Sequence, residues 1–199
     1  VRVPAVRSEE TLVRDLAGGV RRAVCAVEEH NGTWGPDGVE LTAVADGDSL
    51  VLSGTKILVP DTEAAQWLLA AARTPDAIGL VAVPADAPGV TITGMRRIDG
   101  QSIAEVAFER VRVPADALLG GCERAERVLR DSYDLATTLL VADLLGAAEA
   151  VLDLTVEYAK ERVQFDRPIG SFQAVAHRLA DRRVEVEIGR SLLYAACLA

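Results

Sequence analysis

The sequence predicts an α+β fold: a small antiparallel β-barrel or sandwich domain followed by an incomplete helical bundle. Three observations carry this. Up to about residue 121, short apolar runs of strand length alternate with turn residues. From residue 122 the apolar residues recur at three- and four-residue steps over stretches too long for strands. Half of the 199 residues are hydrophobic and 26% are charged, a globular balance in a chain long enough to bury a core. The β-domain is assigned to residues 20–121 and the first part of the bundle to 122–199.

Within the β-half the expected strands are Arg22–Val27, Leu41–Ala45, Ser49–Leu52, Thr55–Val59, Trp67–Ala72, Leu80–Val83, Val90–Thr93, Ala104–Phe108 and Val111–Val113. Asp46-Gly47-Asp48 between two alternating runs is a hairpin signature. Pro36-Asp37-Gly38, Ala87-Pro88-Gly89 and Asp99-Gly100 supply turn chemistry. The Ala-rich run Trp67–Arg73 reads as strand or as helix, because Ala favours helix and the run is too short for its period to decide. In the second half, Leu140, Leu144, Ala147, Val151, Leu154 and Tyr158 form one helical stripe. That helix should end at the loop Gln164–Gly170. A second helix should open at Ser171, as an N-cap, and run beyond Leu193. Two long helices with apolar stripes need partners, within the chain or from another chain.

Composition removes several functions. Aromatics are 4%, too few for a base-stacking platform, and a net charge of -9 opposes sequence-independent nucleic-acid binding. Three scattered cysteines, Cys25, Cys122 and Cys197, fit a reducing compartment, so a cytoplasmic location is expected. Two isolated histidines, His30 and His177, predict no metal site. Val1–Arg7 lacks the apolar core of a signal peptide. The longest apolar stretch, near Leu135–Val151, is interrupted by Asp143 and Glu149, so no membrane span is expected. The start at Val1 and the apolar run Leu192–Ala199 read as cut ends.

The chemistry is concentrated in Tyr158-Ala159-Lys160-Glu161-Arg162-Val163-Gln164-Phe165-Asp166-Arg167-Pro168-Ile169-Gly170-Ser171-Phe172-Gln173. The Arg162 guanidinium, near a helix end, is shaped to pair with a pyrophosphate. Phe165 offers an apolar face to a flat ring, and Gln173 lies in the first turn of the next helix, where backbone N–H groups favour an anion. The run resembles the Tyr-Ala-x-x-Arg-x-Gln-Phe-Gly-x-x-Ile-Gly-x-x-Gln signature of the acyl-CoA dehydrogenase family. Ala176–Asp181, Val113-Pro114 with Leu118-Leu119-Gly120, and Ser53-Gly54-Thr55-Lys56 ahead of Val59-Pro60-Asp61 fit the same family. The likeness runs from about Leu16 to the last residue. It implies that residues 1–19 are the tail end of a helical N-terminal domain otherwise absent here.

The resemblance implies FAD as cofactor. Arg162, Gln164, Phe165 and Gln173 would bind the ADP part of a flavin held mainly by the neighbouring subunit, so a dimer or tetramer is implied, with itself or with a homologous subunit. On the flavin-facing side the family's Thr-Glu-Pro-x-x-Gly-Ser-Asp segment corresponds to Val27-Glu28-Glu29-His30-Asn31-Gly32-Thr33-Trp34. Thr33 would donate to a pyrophosphate oxygen. Val27 stands where a flavin-bonding Thr is usual, and Trp34 where Asp is usual. The family's Trp-x-Thr that packs on the flavin aligns with Leu58-Val59-Pro60, which makes Val59 a cofactor contact. Pro60 has neither N–H nor hydroxyl.

The implied reaction is FAD-dependent α,β-dehydrogenation of an acyl-CoA thioester, in fatty acid or lipid metabolism, with an electron acceptor protein as further partner. One family position for the catalytic Glu aligns with Ala136 and the other lies past Ala199, so the base is not within this sequence. The family's Asp-x-x-Arg near the substrate appears as Asp134-Leu135-Ala136-Thr137, which leaves Asp134 as the substrate-side candidate. The alternative is a non-catalytic subunit or a flavin-free scaffold that assembles with an active homologue. Val27, Leu58, Pro60 and Thr137 point that way, while the preserved Arg162, Gln164, Phe165 and Gln173 point to cofactor binding.

Overall fold

In the computed structural model, the structure describes residues 9–75 and 77–198. Residues 1–8 of the expected N-terminal tail, and Ala199, lie outside the described residues. The chain divides into two units, Val1–Asp131 and Ser132–Ala199.

The first unit opens with helix α1 (Glu9–Ala17) and continues through strands β1 (Ala23–Ala26), β2 (Thr42–Asp46), β3 (Ser49–Pro60) and β4 (Trp67–Arg73). Strands β5 (Ile78–Pro84), β6 (Val90–Arg96), β7 (Ser102–Pro114) and β8 (Leu118–Leu119) follow. Helix α2 (Cys122–Glu161) contributes its residues up to Asp131 to this unit. The sheet order is β6-β7-β3-β2-β4-β5-β8, with β1 paired to β4.

The expected antiparallel barrel or sandwich is corrected to a mixed, open sheet. β1 pairs β4 in parallel from Ala23↔Trp67 to Ala26↔Ala70, and β2 meets β4 in parallel at Thr42↔Arg73. The order begins at β6 and ends at β8 with no pairing between them. The physical reason is the connection. A long segment, which includes the β2–β3 hairpin, separates β1 from β4, and only a connection of that length can bring a strand back in the same direction.

Several expected strands prove to be halves of longer ones. Ser49–Leu52 and Thr55–Val59 are both in β3, and Ala104–Phe108 and Val111–Val113 are both in β7. The apparent breaks are irregularities in the β3–β7 register, between Leu52 and Gly54 and between Lys56 and Val59. Gly54 takes φ 143° there, and a Cβ on it would stand 2.9 Å from Leu41 Cδ1, so the strand bends where only glycine fits. Asp46-Gly47-Asp48 makes the expected tight turn, since Asp46 pairs with Ser49. The Trp67–Arg73 run is strand β4. Its neighbours on both sides are strands, and tertiary pairing outweighs the helix preference of Ala.

Leu41, Leu52, Val59, Leu68, Val106 and Phe108 lie in the main core cluster. Leu12 of α1 packs with Trp67 and Ala82, and Leu129 of α2 with Val39, Ala71 and Ile78. One polar pair sits among these residues. Lys56 is 0% exposed, and its Nζ donates to Glu29 Oε1 at 2.5 Å and to the Val27 carbonyl at 3.1 Å. The same Glu29 oxygen accepts the backbone N–H groups of Glu40 and Leu41, each at 2.9 Å. Burial pushes the Lys56 ammonium below the usual lysine range, against the upward pull of Glu29.

The second unit holds the rest of α2, the two-residue strands β9 (Val163–Gln164) and β10 (Arg167–Pro168), and helix α3 (Gln173–Leu198). Glu149 of α2 accepts from Arg190 of α3 at 2.5 Å, and Asp153 pairs with Arg183. Leu152, Ala159 and Val186 are buried. The stripe Leu140, Leu144, Val151, Leu154 and Tyr158 stands open to solvent, as do Val184, Ile188 and Leu192 of α3. By length and composition alone Arg124–Glu161 would pass for a membrane span, with mean hydropathy 1.7 over its most apolar stretch. This differs from the expectation drawn from Asp143 and Glu149. The partners of Glu149 on α3 are those of a helix packed in protein. Ser171 is not the N-cap expected of it: it lies in a short 3-10 turn, its hydroxyl donates to the Pro168 carbonyl, and α3 begins at Gln173.

Removing one partner of a buried ion pair leaves an uncompensated charge. Lys56→Met is therefore expected to lower the unfolding free energy by roughly 3–5 kcal/mol. The double variant Glu29→Gln/Lys56→Met, with neither charge, should lose less than Lys56→Met alone. Urea unfolding of the three proteins measures both.

Candidate functional site

The corner between α2 and α3 collects four of the residues singled out in the sequence. The Arg162 N–H closes the last turn of α2 on the Tyr158 carbonyl at 2.9 Å. The Arg162 carbonyl then accepts the Ile169 N–H at 2.8 Å, so the chain returns to the helix end after a tight excursion. That excursion is the β9–β10 hairpin, with Gln164 paired to Arg167 and Val163 to Pro168. Gly170 seats it: a Cβ there would lie 3.0 Å from the Ala159 carbonyl oxygen, so a side chain would push the return strand off α2.

The hairpin tip is Phe165-Asp166, with φ 51° and 62°. Positive φ at both central residues is the geometry of a type I′ turn, which favours Asn-Gly. An aromatic residue in this conformation is a real departure, and folding alone does not account for it. Nor does burial: Phe165 is 87% exposed and touches Phe172 only edge-on, with ring centroids 6.2 Å apart. The Arg167 guanidinium lies 4.0 Å from the Phe172 ring centroid. Arg167 thus packs on the base of the hairpin.

Arg162, Gln164, Phe165 and Gln173 are all exposed. The Arg162 guanidinium has no hydrogen-bond or ion-pair partner among the described residues, while the Gln164 amide donates to the Val163 carbonyl at 2.8 Å. Gln173 is the first residue of α3, and the Val175 and Ala176 N–H groups both close on the Phe172 carbonyl at 2.9 Å. One short segment therefore presents a free guanidinium, an open phenyl ring and the start of a 26-residue helix. That set can hold a flat ring joined to an anion.

Asp134 lies in the N-terminal half of α2, exposed. At 1.5 Å per residue it stands roughly 40 Å along the helix from Arg162. Ala136 and Thr137, exposed beside it, supply neither carboxylate nor guanidinium.

Thr33 and Val59 belong to the first unit. Thr33 is exposed, with its N–H held by Asn31 Oδ1 at 2.9 Å and its hydroxyl unpartnered among the described residues. Val59 is 1% exposed and lies in the core cluster, so its side chain faces inward. The residue turned outward is Leu58, 53% exposed, with φ 53° at the bulge of β3. Sequence reasoning missed Glu29 and Lys56 as a pair. The signal was the alternation of β3, in which Leu50, Leu52 and Lys56 fall on the inward face.

If the Phe165-Asp166 tip is kept for binding rather than folding, relieving it should stabilise the chain. Phe165→Asn/Asp166→Gly is expected to raise unfolding free energy by about 1–2 kcal/mol, the scale of one left-handed non-glycine residue. Thermal denaturation against the parent chain measures it.

Comparison with known proteins places the chain by sequence and fold. The profile of the acyl-CoA dehydrogenase C-terminal domain matches residues 122–199. A probable acyl-CoA dehydrogenase, YngJ of Bacillus subtilis, is 32% identical over 194 residues, 93% of this chain and 51% of the relative. The crystal structure of a glutaryl-CoA dehydrogenase from Mycobacterium smegmatis in complex with FADH2 superposes with TM-score 0.80 at 28% identity, over 96% of this chain and 51% of that one. The ChsE4-ChsE5 complex from Mycobacterium tuberculosis gives TM-score 0.73 at 32% identity, over 92% and 48%. The chain spans about half the length of the relatives it matches. This chain belongs to the acyl-CoA dehydrogenase family.

Proposed function

We propose that this chain is part of an FAD-dependent acyl-CoA dehydrogenase that carries out α,β-dehydrogenation of an acyl-CoA thioester. The observation that carries the reading is the α2–α3 hairpin, with an unpartnered Arg162 guanidinium beside a strained, open Phe165. The residues fit the ADP end of FAD. Arg162 pairs with the pyrophosphate, Phe165 lies against the adenine, and Gln164 and Gln173 flank them. Thr33, in the first unit, offers a free hydroxyl to the pyrophosphate of the FAD that its own subunit holds, while the Arg162 hairpin serves the FAD of the neighbouring subunit. FAD, when bound, supplies the two-electron acceptance that dehydrogenation requires. The chain's own residues bind and orient. Asp134 stands on the substrate side, and the group that takes the α-proton is assigned outside residues 1–199, since Ala136 cannot accept one.

The flavin-ring end fits less well, and this favours a second reading. Leu58 turns an aliphatic side chain outward, Pro60 has no N–H to offer, and the Val59 side chain is in the core. That face can stack a ring but supplies few polar contacts to its edge. The second reading is a non-catalytic subunit that lends its ADP-binding hairpin to an active homologue. The similar ChsE4-ChsE5 structure is a complex of two named chains.

The open stripes of α2 and α3 support a dimer or tetramer, with copies of this chain or with a homologous subunit. An electron acceptor protein and a cytoplasmic location complete the proposal.

Arg162→Ala should weaken FAD binding by roughly one to two decades, the scale of one charge-assisted phosphate contact. Arg167→Ala, whose guanidinium is engaged with Phe172, should weaken it much less. Flavin titration of the stripped full-length protein measures both. Equal affinities would make the hairpin structural, and no flavin binding in the presence of partner chains would favour the flavin-free scaffold. FAD that binds but is not reduced by any acyl-CoA would favour the non-catalytic subunit.

Light scattering at micromolar concentration should report a dimer or larger assembly of the full-length protein. A stable monomer would count against the assembly.

A further inference from the structure

The loop from residue 30 to residue 39 has a single atom at its neck. Glu29 Oε1 accepts the Lys56 ammonium at 2.5 Å and the N–H groups of Glu40 and Leu41 at 2.9 Å each. Both ends of the loop are therefore drawn to one carboxylate oxygen, in the manner of a compact Ω-shaped loop. Lys56 also donates to the Val27 carbonyl at 3.1 Å, and the Ile57 N–H to the Glu28 carbonyl at 2.9 Å, which fastens the approach to the neck onto β3. Within the loop, the Asn31 side-chain amide donates to the Gly38 carbonyl at 2.8 Å and its oxygen accepts the Thr33 N–H. His30 Nε2 and Glu105 Oε2, 3.2 Å apart, link the loop's rim to β7. Thr33 and Trp34 lie exposed in the loop so held.

We propose that Lys56 and Glu29 are positioning residues that hold the Thr33 hydroxyl in place for an anionic ligand, acting through the neck of the 30–39 loop. The proposal rests on the reading of Thr33 as a contact to the FAD pyrophosphate. Its physical basis is the cost of a lone buried charge. Without the ammonium, the Glu29 carboxylate has no countercharge in the core, and the cheapest relief is to move into water. It then releases the N–H groups of Glu40 and Leu41, and the neck opens. A loop without its neck samples many positions, and Thr33 spends only part of its time where the ligand needs it.

The chain has two tryptophans, Trp34 in the loop and Trp67 in the core. In a full-length background in which every tryptophan except Trp34 is replaced by Phe, the fluorescence anisotropy of Trp34 reports loop order without reference to activity. Lys56→Met should lower that anisotropy and weaken FAD binding roughly tenfold, the low end of what outer-shell support residues contribute. Thr33→Ala should weaken FAD binding in the parent and have no further effect beside Lys56→Met. Unchanged Trp34 anisotropy in a folded Lys56→Met protein would overturn the positioning role. So would an equal Thr33→Ala effect in both backgrounds, since the loop would then move without carrying Thr33. If Thr33→Ala leaves FAD affinity untouched in the parent, the ligand assignment fails instead, and the positioning role toward that ligand goes with it. Should Lys56→Met fail to fold, Lys56→Gln takes its place: it keeps a donor toward the Val27 carbonyl, removes the ammonium that faces Glu29, and is read by the same measurements.

Discussion

A buried ion pair holds the first unit together at its least regular point. Lys56 reaches from the middle of β3 to the end of β1, to the neck of the 30–39 loop and to a carboxylate that itself holds two backbone N–H groups. The Coulomb attraction of such a pair is largely consumed by desolvation, so apolar residues at positions 29 and 56 together could make the sheet as stable. What an apolar residue could not do is satisfy Val27, Glu40 and Leu41 at one place. The pair converts an irregular crossover between parallel strands into a fixed structure, and the mixed sheet depends on that crossover.

The second unit is built on a different principle. Its hairpin is held from below, by Gly170 against α2 and by Arg167 over Phe172, and is free at its tip. In this unit, positive φ outside glycine falls on Phe165-Asp166, at the exposed tip, among the described residues. Under the proposed function, strain that does not aid packing keeps these residues for a ligand outside the chain. Regular structure around the tip makes this affordable, since α2 and α3 carry the stability and the hairpin only has to be held between them.

Much of the fold was legible because periodicity reports burial directly. The change from short runs to a helical stripe after residue 121 separated strands from helices, and Asp46-Gly47-Asp48 located its hairpin. What was misread had local causes. Leu52 and Thr55 look like the ends of two strands, because a bulge interrupts alternation as a turn does. β8, β9 and β10 have two residues each, too few to show any period. Ser171 has the composition of an N-cap, but its hydroxyl is spent on Pro168. The parallel pairing of β1 with β4 is a long-range fact that no window contains. At the candidate site, spacing located the hairpin residues. Val59 was legible only as a position in a motif, and its alternation with Leu58 decides which of the two faces outward. Lys56 was passed over because its residue type speaks for the surface, while its place in β3 speaks for the core.

The length of α2 has a consequence for how such a protein tolerates damage. Asp134, in the N-terminal half of α2, and Arg162, just past its C-terminus, stand roughly 40 Å apart along the helix, too far to serve the same cofactor and substrate. Under the proposed function, each chain contributes these two points to two different active centres, and each centre borrows from two chains. A centre of this kind has no single owner. A fault at Arg162 is felt in a neighbour's chemistry, whereas a fault at Asp134 is felt at home. In a mixed population of chains, the outcome depends on which copies sit side by side rather than on how many are sound.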